Sequence, residues 1–366
     1  MSELKVDKVS PRTGNYVSLN TVGSKNIVIN GDMSIAQRGT SVSSITSSSY
    51  NTIDRFRLAV DTLGTWTQSQ DTDVPTGQGF AKSFKVDCTT ADAAPAAGDL
   101  IFITQRFEGQ NLQYLKKGTS SAESLTLSFW VKSNKTGTYI AEIEDTDNSR
   151  QISKSYTVNS ASTWEKKTIT FAGDTTGALN NDNGHSLSII FWLGAGSNYT
   201  SGTLGTSWGS TVNANRAVGQ VNLADSTSND FWITGVQLEA GTTASDFEFL
   251  PVDVNLNRCL RYYEVIAKGA TNLTIGFGGT YATDTLGFAL TYFYKRTTPS
   301  LEQVTGTDYY RFYNGGGQNM TKIEATFFTN SRLLAFNNDD ISVADNSLGW
   351  IATFNANAYL AIDAEL

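Results

Sequence analysis

Cysteine, histidine, methionine and proline are scarce in this chain: two, one, three and five among 366 residues. Two cysteines, Cys88 and Cys259, allow at most one disulfide, which excludes a disulfide scaffold, and no Cys/His set has zinc spacing. Free cysteines usually pack in cores, so two buried thiols are the simpler expectation. A single histidine, His185, leaves little for general acid–base chemistry near neutral pH. Charged residues are only 17%, below the usual ~25%. Basic residues number 27 against 35 acidic, a formal charge of −8. Such a chain is poorly equipped to release counterions from a phosphate backbone, so nucleic acid is not an expected partner. No apolar run approaches the length that spans a bilayer, so no membrane insertion is expected. The opening Met1-Ser-Glu-Leu-Lys-Val-Asp-Lys8 has no apolar core of the secretory-signal kind, which speaks against export by that route.

Aromatics are abundant: 19 Phe, 15 Tyr and 7 Trp. Disordered chains lack them, so this one should fold. Ser, Thr, Asn and 32 Gly fill the place of charge, the composition of turns and polar strand faces. Residues 1–25 form a leader of net charge +2, with Leu4, Val6 and Val9 ahead of Pro11; it holds too little apolar surface for a core. Residues 26–250 show strand patterning. Leu125, Leu127, Phe129 and Val131 share one face of a period-2 stretch, and Leu187, Ile189, Phe191 and Leu193 another. Clusters such as Asn181-Asp-Asn-Gly184 separate these stretches, and no helical pattern intervenes, which predicts an antiparallel sandwich. The Ser/Thr-dominated stretch Thr40–Thr52 reads as a loop. After Pro251, Leu256, Cys259, Leu260 and Tyr263 fall at helical spacing, which predicts a linking helix over 251–268. Alternation then resumes at Phe288, Leu290, Tyr292 and Tyr294 and at Ala358, Leu360, Ile362 and Ala364. Residues 269–366 are therefore expected to form a smaller β-sandwich, marginal alone and stabilised by packing against copies of itself.

The catalytic motifs fail on context. Gly205-Thr-Ser-Trp-Gly209 matches the nucleophile-elbow pattern, but no parallel α/β sheet is predicted and His185 precedes Ser207. Glu142 and Glu144 share a strand face, which is expected to be solvated rather than a glycosidase pair. Asp145-Thr-Asp-Asn148 begins like a calcium loop, but Arg150 occupies the position that needs glycine. No catalytic residue is assigned and no enzyme is expected. The tryptophans are the better lead. Trp130 and Trp192 lie on the polar faces of their strands, and Trp208 sits in a Gly/Ser/Thr loop. Each is a candidate platform for a sugar ring, unless a loop or a neighbouring subunit covers it.

Several segments taken together resemble phage virion proteins of the tail-fibre and appendage kind, especially those of marine phages. They are Leu4-Lys-Val-Asp-Lys-Val-Ser-Pro-Arg-Thr-Gly14, Asn26-Ile-Val-Ile-Asn-Gly-Asp32, Ile53-Asp-Arg-Phe56, Leu127-Ser-Phe-Trp-Val-Lys-Ser133, Phe231-Trp-Ile-Thr-Gly-Val-Gln-Leu-Glu239, Arg258-Cys-Leu-Arg-Tyr-Tyr-Glu264 and Tyr359-Leu-Ala-Ile-Asp-Ala-Glu-Leu366. The middle region also resembles carbohydrate-binding modules that open on a similar Asn-Gly-Asp strand. The resemblance implies an all-β chain: an antiparallel jelly-roll over 26–250, one short linking α-helix and a smaller C-terminal β-sandwich. It implies a non-catalytic homotrimer in the virion, assembled in the host cytoplasm. Such a trimer would dock to other virion proteins through Leu4, Val6, Val9 and Pro11 and would contribute to host attachment. A head fibre or capsid decoration protein, or a free glycan-binding module, are the alternatives. No cofactor is implied beyond a structural calcium, for which Asp32 is the candidate ligand, although Phe231–Leu238 brings no Asp to such a site.

Overall fold

The computed structural model describes residues 24–282, 285–324, 327–329, 332–336 and 347–366. The leader residues Leu4, Val6, Val9 and Pro11 lie outside them. The chain divides into two compact units at Pro251/Val252.

The first unit is an antiparallel jelly-roll sandwich. Its strands are β1 (Ser41–Ser49), β2 (Arg57–Asp71), β3 (Ser83–Thr90), β4 (Leu100–Glu108), β5 (Leu125–Ser133), β6 (Gly137–Asp145), β7 (Arg150–Val158), β8 (Glu165–Phe171), β9 (His185–Ala195), β10 (Gly209–Ser210) and β11 (Asp230–Ala240). They form one hydrogen-bonded path, β10-β7-β6-β9-β4-β2-β3-β11-β5-β8, with β1 added to β2. The path becomes two layers at β2. Residues 57–62 of β2 pair with β4, whereas 65–71 pair with β3. Between these halves Thr62 (φ 53°) and Gly64 (φ 71°) adopt the left-handed conformation. A Cβ on Gly64 would lie 2.7 Å from the Thr90 carbonyl oxygen, so glycine alone suits the corner.

The inward faces are the ones that the period-2 patterning marked. Leu125, Leu127, Phe129 and Val131 of β5 are buried, as are Leu187, Ile189, Phe191 and Leu193 of β9. Phe129 meets Phe191 (ring centroids 5.1 Å apart) and Tyr156 (5.0 Å) edge to face, joining the two layers. Tyr139 and Phe231 close the layers nearby at 5.6 Å.

Two expectations about secondary structure are corrected. The stretch Thr40–Thr52, read as a loop, contains strand β1, which pairs along both halves of β2 with three register shifts. Only Ile45 of β1 is buried, so no apolar alternation marked it; backbone pairing alone makes it a strand. The helix expected over 251–268 spans Val252–Leu260 only, and it opens the second unit. Tyr263-Glu-Val-Ile-Ala-Lys268 is a strand instead, because its β-branched residues pair with the C-terminal strand Tyr359–Asp363.

Among the described residues, the second unit holds two antiparallel sheets. The smaller joins β12 (Tyr263–Lys268), β21 (Tyr359–Asp363) and β15 (Ser300–Gln303). The larger runs β17 (Gln318–Met320), β16 (Tyr310–Tyr313), β20 (Leu348–Thr353), β13 (Thr274–Ala282), β14 (Thr285–Thr291), β19 (Arg332–Phe336), β18 (Phe327–Phe328). Phe288, Leu290, Phe312 and Ile351 of the larger sheet share a core with Leu360 and Ile362 of the smaller. Tyr294, expected on the same face as Phe288, is exposed because β14 ends at Thr291. Both cysteines are buried, and neither is in a disulfide.

Phe129→Ala should lower the unfolding free energy of the jelly-roll by about 3–5 kcal/mol. Denaturant unfolding followed by tryptophan fluorescence checks this; a loss below about 1 kcal/mol would mean that Phe129 does not tie the layers together.

Candidate functional site

The outer face of the β4/β9/β6/β7 layer is covered by the chain itself. Residues 196–222 cross it, and Leu204 and Ala217 from this crossing pack with Ile140, Ile190 and Trp192 of the sheet. Trp192 is fully buried between Phe102 (5.0 Å) and Tyr199 (5.4 Å), and its indole N–H donates to Glu142 Oε2 at 2.7 Å. It presents no face to a ligand, which corrects its candidacy as a sugar platform: a loop covers it. Glu142 is also fully buried, against the expectation of a solvated face. Arg216 Nε donates to its Oε1 at 2.9 Å, and the same guanidinium reaches Glu144 at 3.2 Å. Burial, opposed by Arg216, pushes the Glu142 carboxyl up to about 7. This is an internal ion pair sealed under a crossing segment, and its carboxylates do not form an open catalytic pair.

Trp208 is also engaged. Its indole N–H donates to the Ala172 carbonyl at 2.7 Å, and the Lys117 ammonium lies 5.2 Å from its ring centre. That ammonium is nearly buried and ion-paired to Asp145 and Asp174 (2.9 Å), and it donates to the carbonyls of Thr176 (3.1 Å) and Gly177 (2.8 Å). Arg150 grips Asp174 with two hydrogen bonds of 2.7 and 2.9 Å. Lys117 thus sits in an oxygen cage that ties three loops together, and Trp208 forms part of its wall. The loop of Ser207 leads into β10 and not into a helix, and His185 Nε2 lies 2.6 Å from Ser188 Oγ, so the nucleophile-elbow match has no supporting structure.

The outer face of the β3/β11/β5/β8 layer is more open. Trp232 donates to Asp71 at 3.1 Å, and Trp164 donates to Asp73 at 2.8 Å. The Lys132 ammonium, paired with Asp73, lies between the rings of Trp232 (4.2 Å) and Trp164 (5.7 Å). Lys85 is 2.5 Å from Asp87 and 4.0 Å from Asp230, which face each other across β3 and β11. Trp130 is next on this face, half-buried, and its indole N–H has no partner among the described residues.

Of the seven tryptophans, five place their indole N–H inside the unit they belong to: Trp66 on the Leu63 carbonyl, and Trp164, Trp192, Trp208 and Trp232 as above. Trp130 and Trp350 do not. Trp350 escaped sequence reasoning because its strand, Leu348–Thr353, has apolar residues on both faces. The signal was available only as Leu348 and Trp350 at i, i+2. Asp32 accepts a hydrogen bond from Ser34 (3.1 Å), and among the described residues no group of three or more His, Cys, Asp or Glu gathers to hold a metal. No helix of the described residues is long and apolar enough to cross a membrane.

No protein-family model matches the chain, and no curated protein matches it. Solved structures do. The enzymatically active domain of tailspike protein 4 from bacteriophage CBA120 aligns over 59% of this chain at 15% identity and a TM-score of 0.31, and the match spans 21% of that chain. The module CBM61 in complex with β-1,4-galactotriose aligns over 59% of this chain and 99% of its own, at 10% identity and a TM-score of 0.31. A family 11 carbohydrate-binding module from Clostridium thermocellum, in complex with a β-1,3-1,4-mixed-linked tetrasaccharide, aligns over 58% of this chain and 95% of its own, at 12% identity and a TM-score of 0.26.

Arg216→Ala leaves Glu142 buried without its cation and should cost about 3–5 kcal/mol near neutral pH. The folded carboxyl titrates above its unfolded value, so protonation favours the fold and stability falls as pH rises through about 7. The variant should therefore lie closer to wild type at pH 5 than at pH 8. Thermal unfolding at the two pH values checks this, and an equal loss at both would contradict the ion pair.

Proposed function

We propose that the chain is a non-catalytic virion appendage, a tail fibre or tail-associated fibre that assembles as a homotrimer and contributes to host attachment. The observation that carries this reading is the bare apolar face of the larger C-terminal sheet. Phe277 is 72% exposed, Leu348 84% and Trp350 42%. Phe277 stands directly opposite Trp350 across β13 and β20, and Leu348 stands opposite Gly279. Tyr313 on β16 extends the row, its ring parallel to Trp350 at 5.2 Å and 9°. Burying each large side chain is worth about 1.5–3 kcal/mol, which a lone copy forfeits. Several copies sharing this face would recover it. The acid–base groups that the sequence singled out are committed within the fold. Glu142 is sealed by Arg216 and Trp192, and His185 is held beside Ser188.

The leader completes the reading. Leu4, Val6, Val9 and Pro11 are the apolar residues of the leader through which another virion protein would bind it. A head fibre or capsid decoration protein would use the same leader, and the location on the particle separates the two.

Deleting residues 1–25 should leave the circular dichroism and thermal midpoint unchanged and remove the protein from purified particles. Normal incorporation of the truncated chain would contradict the docking role, and antibody label on heads would replace the tail assignment with the head fibre.

A further inference from the structure

The outer face of β5 and β8 carries three accessible side chains with nothing to bind. Across the β5/β8 pair, Trp130 stands opposite Lys166, and Thr168 follows Lys166 on the same face of β8; Ser128, opposite Thr168, is buried. These side chains point away from the core, because Leu127, Phe129 and Val131 fill the inward positions of β5. The Trp130 indole N–H, the Lys166 ammonium and the Thr168 hydroxyl have no hydrogen-bond or ion-pair partner among the described residues. Cross-strand neighbours lie about 5 Å apart and same-face neighbours along a strand about 7 Å apart, so the block has the footprint of one sugar ring.

Its borders are closed. In the next row, Thr126 and Thr170 hydrogen-bond to each other at 3.3 Å, and Thr126 also donates to the Gly241 carbonyl. On the other side Lys132 is committed to Asp73 and to the rings of Trp164 and Trp232. Beyond Trp130, Thr234 is buried and donates to the Lys82 carbonyl. Beyond Lys166 the sheet ends, because β8 is its last strand. The unused groups are therefore confined to one small area. There an aromatic ring, a hydroxyl and one uncompensated cation converge.

We infer that Trp130, Lys166 and Thr168 form a binding site for a carboxylated pyranose, a uronic or sialic acid unit of an acidic polysaccharide. The apolar face of the sugar ring packs on the Trp130 indole. The sugar carboxylate pairs with Lys166, and ring hydroxyls meet the indole N–H and Thr168. A neutral sugar leaves the ammonium unused, so the cation selects for acid. The site stands on its own geometry, while its biological sense rests on the host-attachment reading. It differs from the face under residues 196–222, which the chain fills itself.

Affinity electrophoresis of the full-length protein tests it, with polygalacturonate and polysialic acid as acidic probes and dextran as the neutral one. At least one acidic probe should retard wild type, less so at high salt, because Lys166 is exposed and screened. Trp130→Ala should abolish the retardation. Lys166→Gln should weaken it about tenfold, the worth of one charge-assisted hydrogen bond, and Lys166→Arg should keep it. Neither group has a hydrogen-bond or ion-pair partner, so both variants should keep the wild-type circular dichroism and a cooperative thermal transition, which excludes misfolding. No retardation by either acidic probe overturns the site, as does wild-type retardation of both Trp130→Ala and Lys166→Gln. Equal retardation by dextran overturns the preference for acid. A chain that binds acid through Trp130 and Lys166 but never enters virions refutes the appendage reading and leaves the site standing.

Discussion

The jelly-roll depends on one corner, where β2 passes from pairing with β4 to pairing with β3. Thr62 and Gly64 turn the strand there, and the Thr90 carbonyl leaves no room for a side chain on Gly64. That turn stacks one hydrogen-bonded ribbon into two layers and sets Phe129 against Phe191 and Tyr156. Once the layers are stacked, each has a single outer face, and the two faces fare differently. The chain covers one with residues 196–222 and seals Trp192, Glu142 and Arg216 beneath them. The other keeps an open area at Trp130 beside a closed network of Trp232, Trp164, Lys132 and Asp73.

A buried indole must place its N–H, and the tryptophans sort on that requirement. Those that satisfy it act in the architecture: Trp208 walls the Lys117 cage, and Trp192 holds the Glu142 carboxylate. The two that do not are found on surfaces of different chemistry. Trp130 stands beside a hydroxyl and a free ammonium, where a polar ligand with an apolar ring fits. Trp350 stands among Phe277, Tyr313 and Leu348, where another protein surface fits. The attachment protein proposed above would use both kinds of surface, one for the host and one for its own copies.

The sequence made much of the fold legible, for reasons tied to particular residues. The inward stripes of β5 and β9 were readable because one face is apolar and the other polar. β1 was not, because serine and threonine fill both of its faces and only backbone pairing holds it. The helix start after Pro251 was readable, but its end was not: Tyr263 continues a helical spacing while it also begins a strand. At the candidate site, Trp130 could be placed on a polar face by its neighbours. Trp192 is covered by the segment that begins only four residues after it, but no sequence pattern shows that this segment turns back over the sheet, and Glu142 owes its burial to Arg216, 74 residues on in that same segment. Neither pairing has a local signal. The bare face at Phe277 and Trp350 joins strands more than seventy residues apart.

We propose that the apolar face of the C-terminal unit at Phe277, Leu348 and Trp350 is covered by other copies of the same chain. Native mass spectrometry of the full-length protein over a range of concentrations decides this. A homotrimer gives a species of three times 39.6 kDa, about 119 kDa, persisting on dilution. A mass of 39.6 kDa at every concentration would contradict it and leave Phe277, Leu348 and Trp350 without the partner assigned to them.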